Sequence, residues 1–105
     1  MSTGAEKRRE DRIPYLLDVR CEEFGPGLVR ISDLSRSGAF IDTLNFVRIG
    51  SVLQLGFQLQ DLDITVRAEV RHCVRFIGIG VKFLDLSADE QYFLSFVLAH
   101  QSIRH

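Results

Sequence analysis

The sequence predicts a mainly β fold: a six-stranded antiparallel β-barrel with one C-terminal α-helix and a flexible N-terminal arm. Three observations predict it. Apolar and polar residues alternate through six short segments between Tyr15 and Phe83. Turn-forming residues separate those segments. After Ser87 the apolar period changes from two to that of a helix. At 105 residues the chain reads as a single domain. Its parts are a basic arm over residues 1–12 and the barrel with its helix over 13–105.

The arm has almost no apolar content. Pro14 then holds the chain extended at the entry to the first strand. From Tyr15 to Phe24, Leu17, Val19 and Cys21 alternate with Asp18, Arg20 and Glu22. Gly25-Pro26-Gly27 is a turn, and Leu28, Val29 and Ile31 begin the return strand of a hairpin. Asp33 to Gly38 interrupts the strand pattern, which Ala39-Phe40-Ile41 resumes. Asn45 to Gly50 is a connection whose Phe46, Val47 and Ile49 are expected to pack over one end of the core. Leu53, Leu55, Phe57 and Leu59 form the buried set of the fourth strand. Gln60 to Asp63 turns the chain into a long fifth strand. There Ile64, Val66, Ala68 and Val70 point inward, while Thr65, Arg67, Glu69 and Arg71 form an outward row, read as a solvated face. Phe76 to Gly78 turns the chain again. Ile79, Val81 and Phe83 face inward from the last strand, with Gly78, Gly80 and Lys82 outward. Ser87 and Glu90 form a capping box. Tyr92, Phe93, Phe96, Val97 and Ile103 supply the apolar face of the helix that follows.

Bulk properties exclude several classes. An apolar fraction of 46% is that of a globular protein. A formal net charge of −1 argues against a nonspecific nucleic-acid binder. The polar N-terminus has no signal-peptide core, and no apolar run reaches the length of a membrane span. These features imply a cytoplasmic protein with no membrane insertion. Cys21 and Cys73 then read as reduced, half-buried strand residues. His72 reads as structural or exposed. Two cysteines and three histidines show no metal-ligand spacing, so neither a metal nor a cofactor is expected. No nucleophile with an adjacent base is legible, so the chain reads as a non-enzyme.

Two motifs carry chemistry. Arg8-Arg9-Glu10-Asp11-Arg12 contains RxxxR, and Asp33-Leu34-Ser35-Arg36-Ser37-Gly38 contains DxSxxG. Guanidinium donates in a planar fork that matches a phosphate or the O6/N7 edge of guanine. An ionised carboxylate only accepts, which suits guanine N1–H and N2–H₂. Each motif alone is common; both in this order, on this strand pattern, are specific.

The pair of motifs resembles the PilZ family, bacterial receptors for cyclic di-GMP, over about Glu6 to Leu98. Gly78-Ile79-Gly80-Val81-Lys82-Phe83 followed by Leu84-Asp85-Leu86 is similar to that family's last strand and helix entry. The resemblance implies a split-barrel type of fold. It also implies that the arm closes over the ligand, with Arg8 and Arg12 on guanine Hoogsteen edges and phosphates. Arg9 would add a phosphate contact or stack on a base. Asp33 would hold a guanine Watson–Crick edge, Ser35 would support that base or its ribose, and Gly38 would allow close backbone approach. Lys7 occupies a position that in the family influences whether one ligand or an intercalated pair binds. An outward residue such as Arg71 or Arg75 would complete the site, and the sequence does not choose between them.

Three readings compete. The leading one is a cyclic di-GMP receptor that orders its arm and thereby alters contact with an effector protein. The second is an adaptor of the same fold that binds no nucleotide, usually marked by loss of residues this chain keeps. The third is a nucleic-acid-binding barrel. Against it stand the charge balance, Glu10 and Asp11 within the arm, and the absence of an identifiable exposed aromatic platform.

Overall fold

A computed structural model describes residues 17–59 and 62–103. The proposed arm, with Lys7, Arg8, Arg9 and Arg12, lies outside the described residues, as do Tyr15, Gln60 and Asp61. The order of elements is β1 (Leu17–Cys21), a short 3-10 turn (Glu22–Phe24), β2 (Leu28–Leu34), β3 (Gly38–Asp42), β4 (Val52–Leu59), β5 (Leu62–Val74), β6 (Gly78–Leu84) and α1 (Ala88–Ile103). The six strands form a closed antiparallel barrel in the order β1-β2-β3-β6-β5-β4, with β4 returning to β1. The predicted six-stranded antiparallel barrel with one C-terminal helix is the observed one.

Alternation explains the interior. Val19, Ile31, Ile41, Leu53, Leu55, Phe57, Val66, Ala68, Val70, Ile79, Val81 and Phe83 all point into the barrel and are buried. The helix adds Phe93, Leu94 and Val97. Phe57 joins the two parts. Its ring meets Phe83 edge-on at 6.3 Å and Phe93 at 6.0 Å, the edge-to-face arrangement that aromatic quadrupoles favour. The capping box forms as read: the Glu90 N–H donates to Ser87 Oγ at 3.1 Å, and the Ser87 N–H donates to Glu90 Oε1 at 2.9 Å.

Several sequence expectations need correction. Leu62, Asp63 and Gly78, read as turn residues, already belong to strands, Leu62 pairing with Leu59, Asp63 with Gln58 and Gly78 with Val74. The first strand stops at Cys21, because Glu22–Phe24 coils into the 3-10 turn. The interruption between β2 and β3 is confined to residues 35–37, because backbone pairing continues through Asp33↔Phe40 and Leu34↔Ala39. In the connection after β3 only Val47 packs against the core, while Phe46 and Ile49 stand in solvent. On the helix, Leu94 takes the core position expected of Tyr92, which is exposed. Residues 93, 94 and 97 share one face at the 3.6-residue period, and position 92 lies off it. The side chains of Leu59 and Ile103 are outside the described set.

Both cysteines are free thiols, but only Cys73 is half-buried. Cys21 faces the interior opposite Leu55 and is fully buried. Burial, and then the Glu23 carboxylate beside it, push its thiol up to about 11 from the ordinary 9.0. The folded state therefore holds this proton more tightly than the unfolded chain does. The associated stability is complete below pH 9 and is lost as pH rises toward 11. A thiol reagent at pH 8 should modify Cys73 fast and Cys21 only at the rate of unfolding; equal rates would contradict the burial of Cys21.

Candidate functional site

Two β-bulges build the site. In β2 the pairing steps from Ile31↔Ile41 to Asp33↔Phe40, so Ser32 is an extra residue. In β5 it steps from Val70↔Val81 to His72↔Gly80, so Arg71 is extra. A bulge breaks the strict alternation and re-aims side chains. Here one bulge turns Asp33 outward, and the other turns both Arg71 and His72 outward.

The register then aligns Asp33, Phe40, Gly80 and His72 in one transverse row across β2, β3, β6 and β5. Three inter-strand spacings make the row about 14 Å wide. Its cleft of about 250 Å³ is lined by Asp33, Phe40, Arg71, His72 and Gly80, with Ala39 and Val81 beneath. That volume is below the range of whole-ligand pockets; it suits one base, with the rest of a larger ligand lying along the face.

The floor is aromatic. The rings of Phe40 and His72 lie 6.2 Å apart and tilted by 33°. They fold over the glycines of β6. A Cβ on Gly80 would meet the His72 imidazole at 2.2 Å, and one on Gly78 would meet the Phe40 ring at 2.5 Å. The outward glycines are thus buried under two rings that form a short stacking surface. Asp33 offers an acceptor at one end of the row, with its Oδ1 shielded from solvent. Arg71 offers a fork of donors at the other.

Ser35 and Gly38 shape the loop between β2 and β3. The Ser35 N–H donates to the Gly38 carbonyl at 2.9 Å, closing the turn. Its hydroxyl oxygen accepts from the N–H groups of Ser37 and Gly38, both at 3.3 Å. Ser35 is completely buried, so its position is that of an ST-turn residue which sets the direction of β3. Gly38 is required by its neighbour strand: a Cβ there would lie 2.2 Å from the Val81 carbonyl oxygen. Gly38→Ala should therefore push β6 outward and cost about 3 kcal/mol in urea unfolding. A loss below about 0.5 kcal/mol would contradict this packing.

Of the sequence-predicted site residues, the structure brings Asp33, Ser35 and Gly38 together at one end of β2 and β3. The two arginines left open by the sequence lie in different places. Arg71 lines the cleft, whereas Arg75 sits beyond the end of β5 over the rings of Phe46 and Phe76. Phe40, His72 and Gly80, which the sequence did not single out for a site, line the same cleft as Asp33 and Arg71. The chain enters β1 at Leu17, opposite Ile31 and two positions from Asp33. Arg12 precedes Leu17 by five residues, a reach of about 17 Å when extended. Among the described residues no group of three His, Cys, Asp or Glu could hold a metal, and no helix is long and apolar enough to cross a membrane.

The fold is thus a small closed barrel with a shallow, aromatic-floored cleft on one face. A family model for the PilZ domain matches residues 6–99, and the chain belongs to the PilZ domain family. Domains of this family are in general non-catalytic receptors, typically for cyclic di-GMP. Two solved structures share the fold. One is MotI/DgrA, the inhibitor of motility of Bacillus subtilis, with a TM-score of 0.73 and 18% identity. The alignment covers 94% of this chain and 53% of that one, so this chain spans about half the length of MotI/DgrA. The other is the PilZ domain of CeSA from a cellulose-synthesizing bacterium, with a TM-score of 0.64 and 16% identity, covering 88% of this chain and 98% of that one. No curated protein matches the sequence.

Proposed function

We propose that this chain is a receptor for cyclic di-GMP, binding it on the face between the two bulges and signalling by ordering its N-terminal arm. The observation that carries the reading is the aligned row Asp33, Phe40, Gly80 and His72, flanked by Arg71 and by the point where the chain enters β1. Asp33 accepts from the Watson–Crick edge of one guanine. Phe40 and His72 stack on a base, a contact worth about 1–3 kcal/mol. Arg71 meets a phosphate, adding charge to that of Arg8, Arg9 and Arg12 in the arm. Ser35 and Gly38 act by holding the loop that presents Asp33. The ordered arm creates a surface that an effector protein reads, and part of the contact energy goes into that ordering.

Isothermal titration with cyclic di-GMP, with GTP and GMP as controls, tests this. Saturable heat specific to the cyclic dinucleotide is expected. Arg8→Ala and Arg12→Ala should each weaken binding by roughly 100-fold, because each removes charge-assisted hydrogen bonds. The barrel should remain folded by circular dichroism, since the core of the described residues is built from Val19 to Val97. Either variant binding as tightly as the parent would sink the assigned roles. No heat from folded parent protein would favour the adaptor reading.

A further inference from the structure

A second surface lies beyond the ends of β3, β5 and β6. Residues 43–51 join β3 to β4, and the turn 75–77 joins β5 to β6. The Thr43 N–H donates to the Ile77 carbonyl at 3.2 Å and pins the two segments together. Leu44, Phe46 and Ile49 on the first, and Phe76 and Ile77 on the second, are each at least 60% exposed. Large apolar side chains clustered in this way on a small domain mark an interaction site.

The centre of the cluster is a cation. The Arg75 guanidinium lies 5.7 Å from the centroid of the Phe46 ring and 5.8 Å from that of Phe76. Phe76 is held with φ at 66°, a left-handed conformation that a bulky residue adopts at a cost and that Asn or Gly would adopt more easily. The turn thus keeps an aromatic where both its backbone and its exposed ring are unfavourable in the free protein.

We propose that this patch is a protein-docking surface for an acidic segment flanked by apolar side chains, with a partner carboxylate meeting Arg75 between the two rings. Charge selects that occupant. Segments 43–52 and 74–78 contain Arg48 and Arg75 and no Asp or Glu, and two neighbouring carboxylates, Glu23 and Asp42, accept from the Gln54 N–H and the Ser32 hydroxyl. A two-fold contact with a second copy would oppose like charges. Entry into lipid would strip water from a guanidinium fixed at the centre of the patch. Aromatic residues and arginine at the centre of a patch are the composition of protein interface anchors. The patch shares no residue with the nucleotide face, so docking here stands whether or not the nucleotide binds.

The test is selection from a phage library of random peptides on the full chain and, in parallel, on the Phe46→Ser/Arg75→Glu double variant. Peptides enriched on the parent alone should carry Asp or Glu beside Leu, Ile or Phe. Synthetic copies should bind the variant at least roughly tenfold more weakly. Phe76→Asn should lose this binding while raising the melting temperature, because it relieves the left-handed strain. Both variants keep the parent's circular dichroism spectrum, since they alter exposed residues. Enrichment without acidic residues, or equal enrichment on the variant, overturns the proposal, as does no enrichment at all. Self-association in sedimentation that Phe46→Ser abolishes overturns it in favour of a second copy. Co-sedimentation with phosphatidylglycerol vesicles that Phe46→Ser abolishes overturns it in favour of lipid.

Discussion

Phe57→Ala should lower the unfolding free energy by about 4 kcal/mol, the cost of removing a large aromatic from a closed core. Phe57 is buried at the junction of barrel and helix, and its ring edges contact both Phe83 and Phe93. Domains of this size have a total stability of about 5–15 kcal/mol, so the variant should sit close to its folding threshold. Urea unfolding followed by circular dichroism reads the effect directly. Tyr92→Ala, on the solvent side of the same helix, should change stability by less than about 0.5 kcal/mol. A Phe57→Ala loss below about 1 kcal/mol would mean that the helix does not depend on this junction.

Asp33→Ala should weaken cyclic di-GMP binding by roughly 100-fold while leaving the barrel folded. A hydrogen bond from a neutral donor to a carboxylate contributes about 1.5–3 kcal/mol, and Asp33 is the carboxylate that lines the cleft. Arg71→Ala should cost roughly tenfold, the value of one charge-assisted phosphate contact at a partly exposed site. Arg75→Ala serves as the comparison, because its guanidinium is committed to Phe46 and Phe76 outside the cleft. Its affinity for the nucleotide should match the parent's. Equal losses in Arg71→Ala and Arg75→Ala would contradict the placement of the site between the bulges. The three titrations share one protein background, so the pattern among them matters more than any single value.

Much of this was legible in the chain, and the failures have physical causes. Period-two alternation was enough to give six strands and their inward faces, because one face of every strand is buried. Period alone does not say where a strand carries an extra residue. The signal was nonetheless present. The buried sets step by three instead of two from Ile31 to Leu34 and from Val70 to Cys73. Those slips are the two bulges, and they place Arg71, read in a solvated row, and His72, read as structural or exposed, beside the candidate cleft. Gly78 and Gly80 were placed outward correctly, but only the register shows that Phe40 and His72 lie over them. Asp33 and Gly38 could be singled out by motif. Their local roles could not, since the Gly38 constraint comes from the Val81 carbonyl on a strand more than forty residues away. Phe46 and Ile49 misled for the opposite reason. Apolar residues in a short connection usually tuck over a core, and composition cannot reveal that Arg75 holds one of these rings at the surface.

The most direct test of the central claim is amide chemical-shift mapping of the ¹⁵N-labelled protein titrated with cyclic di-GMP. The largest shifts should fall on Asp33, Phe40, Arg71, His72 and Gly80, four strands joined by one row, with Phe46 and Phe76 unchanged. Absence of shifts in folded protein, or shifts centred on Phe46 and Phe76 and sparing Asp33 and His72, would contradict a nucleotide site between the bulges.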